Sequence, residues 1–239
     1  MQEEIRYPIR INKYLELQGV ATRRGADDLI KKGQVLINGR PAVLGYQVKE
    51  SDKVEVLGLE DKNYVYLMYN KPRGLATEDI KIKLPNIDGG SVFPLGRLDK
   101  DSEGLIILTN DGRATDRLLN PKYEHEKEYV VEVREKVSPM HKKILEGGVI
   151  SRVADKGRFK NERLKAKNVK VEGPNSLTIV LTEGKKHQIR RMLSGAHLTV
   201  KSLRRVRIMN IKLSNLRPNQ HRALKGAELV DFLANIGLS

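Results

Sequence analysis

The first sixty residues have the apolar spacing of two short helices. The pattern predicts a first amphipathic helix that ends before Gly19, and a second one between an N-cap at Thr22 and a C-cap at Gly33. Further on, alternating residues around Val35 and Val54 predict a small sheet with a tight turn at Asn38-Gly39. The apolar residues expected to face the core of the two helices are Ile11, Tyr14, Leu15, Ala26, Leu29 and Ile30.

Beyond this region, short apolar strand patterns alternate with helical ones. The polar segment 57–63 is typical of a linker, so we predict an accessory domain over 1–60 and a larger domain over 61–239. The mixture predicts an α+β fold on a mixed or antiparallel sheet. The predicted strands are 64–68, 105–108, 129–133 and 177–181, and the predicted helices are 112–119, 139–145, 186–193 and 226–236.

The charge of the chain changes the picture, because it indicates a polyanionic partner. The sequence contains 45 basic and 30 acidic residues, a net charge of +15. Residues 61–239 hold 35 of the basic and 21 of the acidic ones, so the larger domain carries almost all of the excess. Residues 184–222 include eleven Lys or Arg and no carboxylate. A solvated face is the ordinary explanation of such a run, but its length favours a phosphate-binding surface.

Composition also narrows the class of protein. We find no apolar run long enough to span a membrane, and residues 1–4 lack the features of a signal peptide. The absence of cysteine excludes disulfides, thiolate metal sites and cysteine nucleophiles. We therefore expect a cytoplasmic protein with no membrane partner.

The acidic segment 96–104 is the stretch richest in candidate catalytic or metal-binding side chains. It contains Asp99, Asp101 and Glu103 and leads directly into an apolar strand. The spacing suggests a calcium loop, but Asn110 stands where that loop requires a bidentate Glu, and the flanks have strand patterns instead of helical ones. A magnesium cluster for phosphoryl chemistry is a second interpretation, opposed by two cations within the segment. A charged turn between strands is the third.

Longer motifs around this segment resemble those of a known enzyme family. Residues 96–105 and 108–112 are similar to the signature of the pseudouridine synthases that modify single ribosomal uridines, the RsuA/RluB/RluE/RluF family. Three other stretches agree with this family in the expected order, namely 70–74, 126–129 and 183–192. The resemblance implies a catalytic domain with a mixed, mainly antiparallel sheet flanked by helices.

The first domain resembles the S4 RNA-binding domain that precedes this catalytic domain. The similarity lies in residues 11–14, 23–24 and 35–39. Residues 125–129 and 207–210 are most similar to the RluF branch of the family. The resemblance therefore covers nearly the whole chain.

The resemblance implies a reaction without cofactor or metal. The bond between uracil N1 and ribose C1′ breaks, the base turns, and it rejoins the sugar through C5. Asp99 is then the catalytic carboxylate, either by attacking C1′ or by assisting a glycal route, and both routes stay open. The resemblance makes Arg190 the ion-pair partner of Asp99, with a phosphate contact as the alternative.

Other residues acquire roles through the same resemblance. Tyr129 would stack on the uracil, and Lys127 shares its face of the strand. Arg97 would fill the stack vacated by a flipped-out uridine, with a salt bridge to the acidic segment as the alternative. Val200 and Leu203 would form an apolar floor beneath the base, although two aliphatic residues in a strand are more often simple core positions.

Basic residues in both domains are candidate RNA contacts. In the first domain, pairing of Lys31 and Lys32 with Asp27 and Asp28 within the helix is the alternative. We expect ribosomal RNA as the partner, 23S in preference to 16S, and a monomer without a small-molecule cofactor. The predicted RNA contacts are Arg23, Arg24, Lys31, Lys71, Lys127, Lys185, Lys186, His187, Arg191, Arg204 and Arg205.

Two other functions fit parts of the pattern. A non-catalytic S4-type protein of RNA binding or ribosome assembly would make Asp99 dispensable. A metal-dependent nuclease that uses the acidic segment would lose its activity on chelation.

Overall fold

The structure is a computed structural model that describes residues 6–58, 64–82, 92–155 and 158–238. The chain divides into two compact units. One comprises residues up to 64 together with 111–115, and the other comprises 65–110 and 116–239. Most of the predicted linker, and the predicted boundary after residue 60, lie outside the described residues.

The first unit contains two helices and small sheets, as the sequence predicts. Thr22 caps the second helix by accepting a hydrogen bond from the Gly25 backbone N–H at 3.2 Å. Asn38 and Gly39 both have positive φ, of 49° and 77°, as a tight hairpin requires. The elements are β1 (Ile9–Arg10), α1 (Ile11–Leu17), α2 (Arg23–Lys31), β2 (Val35–Ile37), β3 (Arg40–Pro41), β4 (Gln47–Val48) and β5 (Val54–Val56).

The second unit is organised by a nine-stranded sheet. The described strands are β6 (Tyr66–Lys71), β7 (Phe93–Leu95), β8 (Glu103–Thr109), β9 (Lys127–Val133), β10 (Val149–Asp155), β11 (Arg158–Leu164), β12 (Asn168–Gly173), β13 (Ser176–Leu181), β14 (Val200–Ile208), β15 (Ile211–Lys212) and β16 (His221–Ala223). The order across the large sheet is β12-β13-β9-β14-β8-β6-β16, with β7 on β8 and β15 on β14. Strands β14 and β8 pair in parallel and the others pair antiparallel. This arrangement confirms the α+β class with a mixed, mainly antiparallel sheet.

Helices flank the sheet close to their predicted positions. They are α3 (Ala114–Leu119), α4 (Pro139–Gly147), α5 (Gln188–Gly195) and α6 (Gly226–Asn235), with short 3-10 turns at Thr77–Asp79 and Pro121–Tyr123. Helix α5 begins two residues later than predicted because His187 has a left-handed φ of 51° and serves as the N-cap. Within the described ranges, no helix combines the length and the apolar character needed to cross a bilayer.

Strands β10 and β11 form a separate hairpin that the sequence pattern does not predict. Its first and last residues, Val149 and Leu164, are buried, but Ile150 and Phe159 are 70% and 67% exposed. The guanidinium of Arg152 lies 4.2 Å from the Phe159 ring centre. Because the hairpin does not bury one apolar face, it lacks the alternation by which strands are recognised.

Strands β6 and β8 are buried on both faces, whereas the neighbouring strands bury one face against the main core cluster. Alternate residues of β9 are buried, from Lys127 through Tyr129 to Val133. Strand β13 repeats this alternation, and α5 contributes Ile189, Met192 and Leu193 to the same cluster. Lys127, at one end of this face, is a buried polar residue of the candidate site.

Candidate active site

A cleft of about 1210 Å³ opens over the central strands of the second unit. Its floor comes from β9 and β14, one wall from residues 96–100, and the other wall from residues 184–190. The cleft brings together several predicted site residues that are far apart in the sequence, namely Arg97, Asp99, Lys127, Tyr129 and Arg190.

The segment that carries Asp99 is fixed through its backbone. Thr77 Oγ1 donates a hydrogen bond to the Leu98 carbonyl at 2.7 Å and accepts one from the Leu98 N–H at 3.0 Å. On the other side of Asp99, the Lys100 carbonyl accepts a hydrogen bond from the Gly74 N–H at 2.8 Å. Thr77 is 1% exposed, so these bonds form away from water. The Asp99 side chain is therefore presented from a backbone held on both sides.

Lys71 supports the same segment from below. Its side chain is 0% exposed, and its Nζ donates to the carbonyls of Pro72, Leu75 and Lys100 at 3.0, 2.6 and 3.4 Å. Burial lowers the pKa of Lys71, and the nearby carboxylates, Asp101 first, partly offset that effect. The ammonium is enclosed and bound to the protein's own carbonyls, so the structure gives Lys71 a role in supporting the Asp99 segment, and its contact with RNA stays a prediction.

Two basic side chains face the Asp99 carboxylate. Arg190 Nε lies 3.9 Å from Asp99 Oδ2, and His187 Nε2 lies 3.4 Å from Asp99 Oδ1. Arg190 Nη2 also donates to the Asp101 carbonyl at 3.2 Å and to Ser102 Oγ at 3.3 Å. The guanidinium thus reaches the acidic segment at three points, while the Asp99 side chain stays 37% exposed to the cleft.

A buried glutamine places His187 and Arg190. Gln188 is 4% exposed, and its amide Nε2 donates to Glu183 Oε1 at 2.8 Å. Its Oε1 accepts from the Lys185 N–H at 3.0 Å. These two bonds hold the loop before α5, so the first turn of that helix faces the carboxylate.

The floor of the cleft presents one face of two paired strands. Tyr129 of β9 stands opposite Arg205 of β14 in the ladder, and Leu203 lines the cleft two residues before Arg205. Tyr129 is 7% exposed and Leu203 is 5% exposed, so they offer a largely apolar surface to a ligand. Val200, the other apolar candidate, is not among the residues that line the cleft.

Lys127 and Arg205 bring two buried positive charges to this floor. They are 6% and 4% exposed. Lys127 Nζ donates to the His125 carbonyl at 3.2 Å, and Arg205 Nε donates to the Leu105 carbonyl at 2.7 Å. Burial, followed by the nearby charge of Arg205, lowers the pKa of Lys127 to about 8. Neither residue can track an RNA backbone along an open surface, so their predicted contact with RNA requires a group that enters the cleft.

Arg97 lies at the rim of the cleft with an exposed side chain. Within the described residues it forms no ion pair with Asp101 or Glu103, so the alternative of a salt bridge to the acidic segment is not realised. The side chain is available to a ligand.

The basic stretch 184–222 is partly neutralised by carboxylates from other parts of the chain. Lys185 lies 3.0 Å from Glu183 and 3.6 Å from Glu162, and Arg207 and Arg222 also pair with glutamates. Arg191 Nη2 pairs with Glu162 at 2.7 Å, and its Nε donates to Ser151 Oγ. The prediction of Arg191 as an RNA contact is therefore not supported, since its donors join α5 to the β10–β11 hairpin.

The other basic candidates are exposed or half-buried. Lys186 lies beside the cleft, and Arg204 is half-buried on β14, where no ion pair holds it within the described chain. In the first unit Arg24 and Lys31 are exposed, while Arg23 pairs with Glu16 at 3.0 Å. The alternative pairing between the helix aspartates and the lysines four residues later is not found in the described part of that unit.

The acidic segment does not form a metal cluster in the part of the chain that the structure describes, where no three His, Cys, Asp or Glu side chains converge on one point. Asp101 is exposed, and Glu103 begins strand β8. The charged-turn interpretation therefore describes these two residues best.

Several residues of the site escape sequence reasoning. Thr77 and Gln188 are ordinary polar residues in sequence, and their hydrogen bonds to Leu98 and Glu183 exist only in the folded chain. Arg205 could have been found as a buried residue by its place in the apolar face of β14, between Leu203 and Ile208.

Comparison with known proteins agrees with the geometry. Residues 65–195 match the RNA pseudouridylate synthase family, and residues 9–54 match the S4 domain. The dual-specificity RNA pseudouridine synthase RluF of Escherichia coli (strain K12) is 37% identical over 94% of this chain and 78% of its own length. An uncharacterized RNA pseudouridine synthase of Aquifex aeolicus (strain VF5) is 36% identical over 96% of both chains.

A solved structure supports the fold. The crystal structure of a pseudouridylate synthase superimposes with a TM-score of 0.67 at 24% identity, and the match covers 95% of this chain and 99% of that one. These matches confirm the resemblance that the motifs indicate. The chain therefore belongs to the RNA pseudouridylate synthase family and, through its S4 domain and its similarity to RluF, to the RsuA/RluF group.

Proposed function

We propose that this protein converts a specific uridine of 23S ribosomal RNA to pseudouridine, with Asp99 as the catalytic carboxylate and without cofactor or metal. The proposal rests on the position of Asp99. Its carboxylate lies beside Arg190 and His187 on one side and faces a cleft whose floor includes Tyr129 on the other. The choice of 23S RNA rests on the similarity of residues 125–129 and 207–210 to the RluF branch.

The carboxylate can act because it is held in position and accessible. The Arg190 guanidinium lies on one side of it, with the His187 ring beside it. The opposite side faces the cleft, where C1′ of a bound nucleotide would lie. There the carboxylate either attacks C1′ or assists loss of the base through a glycal.

The remaining cleft residues have matching roles. Tyr129 provides a ring against which the uracil stacks, and Leu203 closes the apolar floor. A uridine held in a stem must leave its stack to enter the cleft. Arg97, exposed at the rim, would occupy the space it vacates.

Exposed and half-buried basic residues would bind the RNA backbone. Lys186 and Arg204 supply positive charge in the catalytic unit, and Arg24 and Lys31 do so in the S4 unit. The first sixty residues are nearly neutral overall, so we assign the S4 unit to positioning the RNA. We propose a monomer that acts in the cytoplasm.

The test is to incubate the purified protein with unmodified ribosomal RNA in EDTA and to map pseudouridine chemically. We expect one new site in 23S RNA with wild type, none with Asp99→Asn, and unchanged modification with Asp101→Asn. The last variant is the matched control, since it removes a neighbouring carboxylate whose side chain is exposed.

The other outcomes identify the alternatives. Activity of Asp99→Asn equal to wild type would refute the role of Asp99 as the catalytic carboxylate. No pseudouridine at all would refute the enzymatic proposal and leave an RNA-binding protein. RNA cleavage that EDTA abolishes would instead indicate the nuclease. Modification confined to 16S RNA would refute the choice of substrate alone.

A further inference from the structure

We propose that Lys127 binds the uracil base as an anion after it has detached from the ribose, with the fixed charge of Arg205 behind it. The inference rests on the proposed isomerisation and adds a second catalytic residue to it. Lys127 would contact the base, and Arg205 would act as a positioning residue by maintaining the positive potential of the floor.

The first observation is that both cations lack a carboxylate partner in the described chain. Lys127 Nζ donates to the carbonyl of His125, and Arg205 Nε donates to that of Leu105. Arg205 Nη2 is buried without a hydrogen-bond partner among the described residues. Asp99, one of the carboxylates that line the cleft, already faces Arg190 and His187.

The second observation is the position of the charges. Lys127 and Tyr129 lie two residues apart on β9, so their side chains share one face of the strand, and both line the cleft. A base stacked against Tyr129 would thus lie beside Lys127. Arg205 stands opposite Tyr129 in the neighbouring strand, which keeps its charge on the same floor.

Such an arrangement is costly unless an anion occupies the cleft. Taking an ammonium out of water without a counter-ion disfavours its charged form, and a second cation nearby adds to that effect. The pKa of Lys127, lowered to about 8, still leaves it mainly protonated at neutral pH. A protonated, desolvated donor in a cleft stabilises negative charge far better than one in water.

The isomerisation creates a suitable anion. When the C1′–N1 bond breaks heterolytically, its electron pair stays with the base and is shared by N1, O2 and O4. The sugar cation is then captured at C1′ by the Asp99 carboxylate, or it gives up its C2′ proton to that carboxylate to form a glycal. When C5 bonds to C1′, the Asp99–C1′ bond breaks or, on the glycal route, the proton returns to C2′. The base gives up its negative charge, the C5 proton is lost and N1 gains one. Lys127 would therefore interact most strongly with the detached base.

The test compares single-turnover rates and RNA affinity for wild type, Lys127→Met, Lys127→Arg and Asp99→Asn. We expect Lys127→Met to slow pseudouridine formation at least about 100-fold, in the range seen when one donor to a developing anion is removed. Its RNA affinity should stay within about twofold, and Lys127→Arg should recover part of the rate. Lys170→Met is the matched control, because Lys170 is 71% exposed and pairs with Glu172.

Each result decides the inference. A Lys127→Met rate within threefold of wild type would overturn the inference. A lower rate in a folded variant that weaker RNA binding explains entirely would also overturn it. If Asp99→Asn is inactive and Lys127→Met is active, this inference fails and the proposed function stands. If the reverse holds, the role of Asp99 fails and that of Lys127 remains. Circular dichroism of each variant identifies an unfolded one, for which Lys127→Arg gives the deciding rate.

Discussion

Lys127 lowers the stability of the folded protein at neutral pH, and its removal should raise it. The shift from the ordinary pKa of 10.5 to about 8 corresponds to about 3 kcal/mol of unfavourable free energy for the charged form. Methionine keeps most of the side-chain volume without the charge. The lost hydrogen bond to the His125 carbonyl costs about 1 kcal/mol, so Lys127→Met should raise the free energy of unfolding by about 2 kcal/mol at pH 7.

The sign of the pH dependence follows from proton binding. Between pH 8 and 10.5 the unfolded state holds a proton on Lys127 that the folded state has released, so this group makes stability rise with pH over that interval. The advantage of Lys127→Met is therefore complete below pH 8 and disappears towards pH 10.5. Other lysines and tyrosines titrate in both proteins, so the difference between variant and wild type isolates this residue.

Urea unfolding followed by circular dichroism at pH 7, 8, 9 and 10 measures the effect. Lys170→Met, an exposed lysine on β12, should change stability by less than about 0.5 kcal/mol at every pH. A Lys127→Met variant that is less stable than wild type at pH 7, or a difference that does not change with pH, would refute the reasoning from the buried charge.

Three further predictions concern residues around the site. Gly104 has a φ of +108°, and a Cβ there would lie 2.3 Å from the Arg205 carbonyl oxygen, so Gly104→Ala should lower the free energy of unfolding by more than about 2 kcal/mol. In the same urea titration, Gly184→Ala, where a Cβ would meet nothing within 4 Å, should change it little. Thr77→Val removes both hydrogen bonds to Leu98, so it should cost about 1–3 kcal/mol and reduce kcat more than RNA affinity; unchanged kcat in steady-state assays would contradict this role. Arg97→Ala should slow modification of a uridine in a stem more than one in an unpaired strand, and equal slowing in single-turnover assays would argue against a role in base flipping.

Much of the fold could be predicted because its signals are local. Helix α2 has an N-cap at Thr22 and a glycine at 33 with a φ of +69°, and its apolar stripe is buried as expected. Strand β8 contains the apolar run 105–108 that the sequence pattern predicts, whereas its neighbour β14 is interrupted by charged residues and is not predicted. For the predicted elements, the prediction and the structure differ at the end residues. Helix α5, for example, begins two residues later than predicted because of the conformation of His187.

The surroundings of several basic residues depend on contacts between distant parts of the chain. The stretch 184–222 contains no carboxylate of its own, yet Arg191 and Lys185 meet Glu162 from β11. Lys71 is the last residue of the buried strand β6, and the loop after it folds back to offer carbonyl oxygens to its ammonium. The sequence predicts neither Glu162 nor the loop carbonyls as partners. For Glu162 the reason is that its hairpin has no apolar alternation by which it could be predicted.

The position of β14 in the sheet has a consequence for the order in which the protein can mature. This strand lies between β9 and β8, although both are synthesised long before it. Until residues 200–208 have left the ribosome, the strand that carries Lys127 and Tyr129 has no partner on that side, and the Asp99 segment is joined to a separate part of the sheet. The cleft is consequently a late product of folding, assembled from contacts about a hundred residues apart. A nascent chain that ends before β14 should therefore bind RNA, if at all, without being able to modify it.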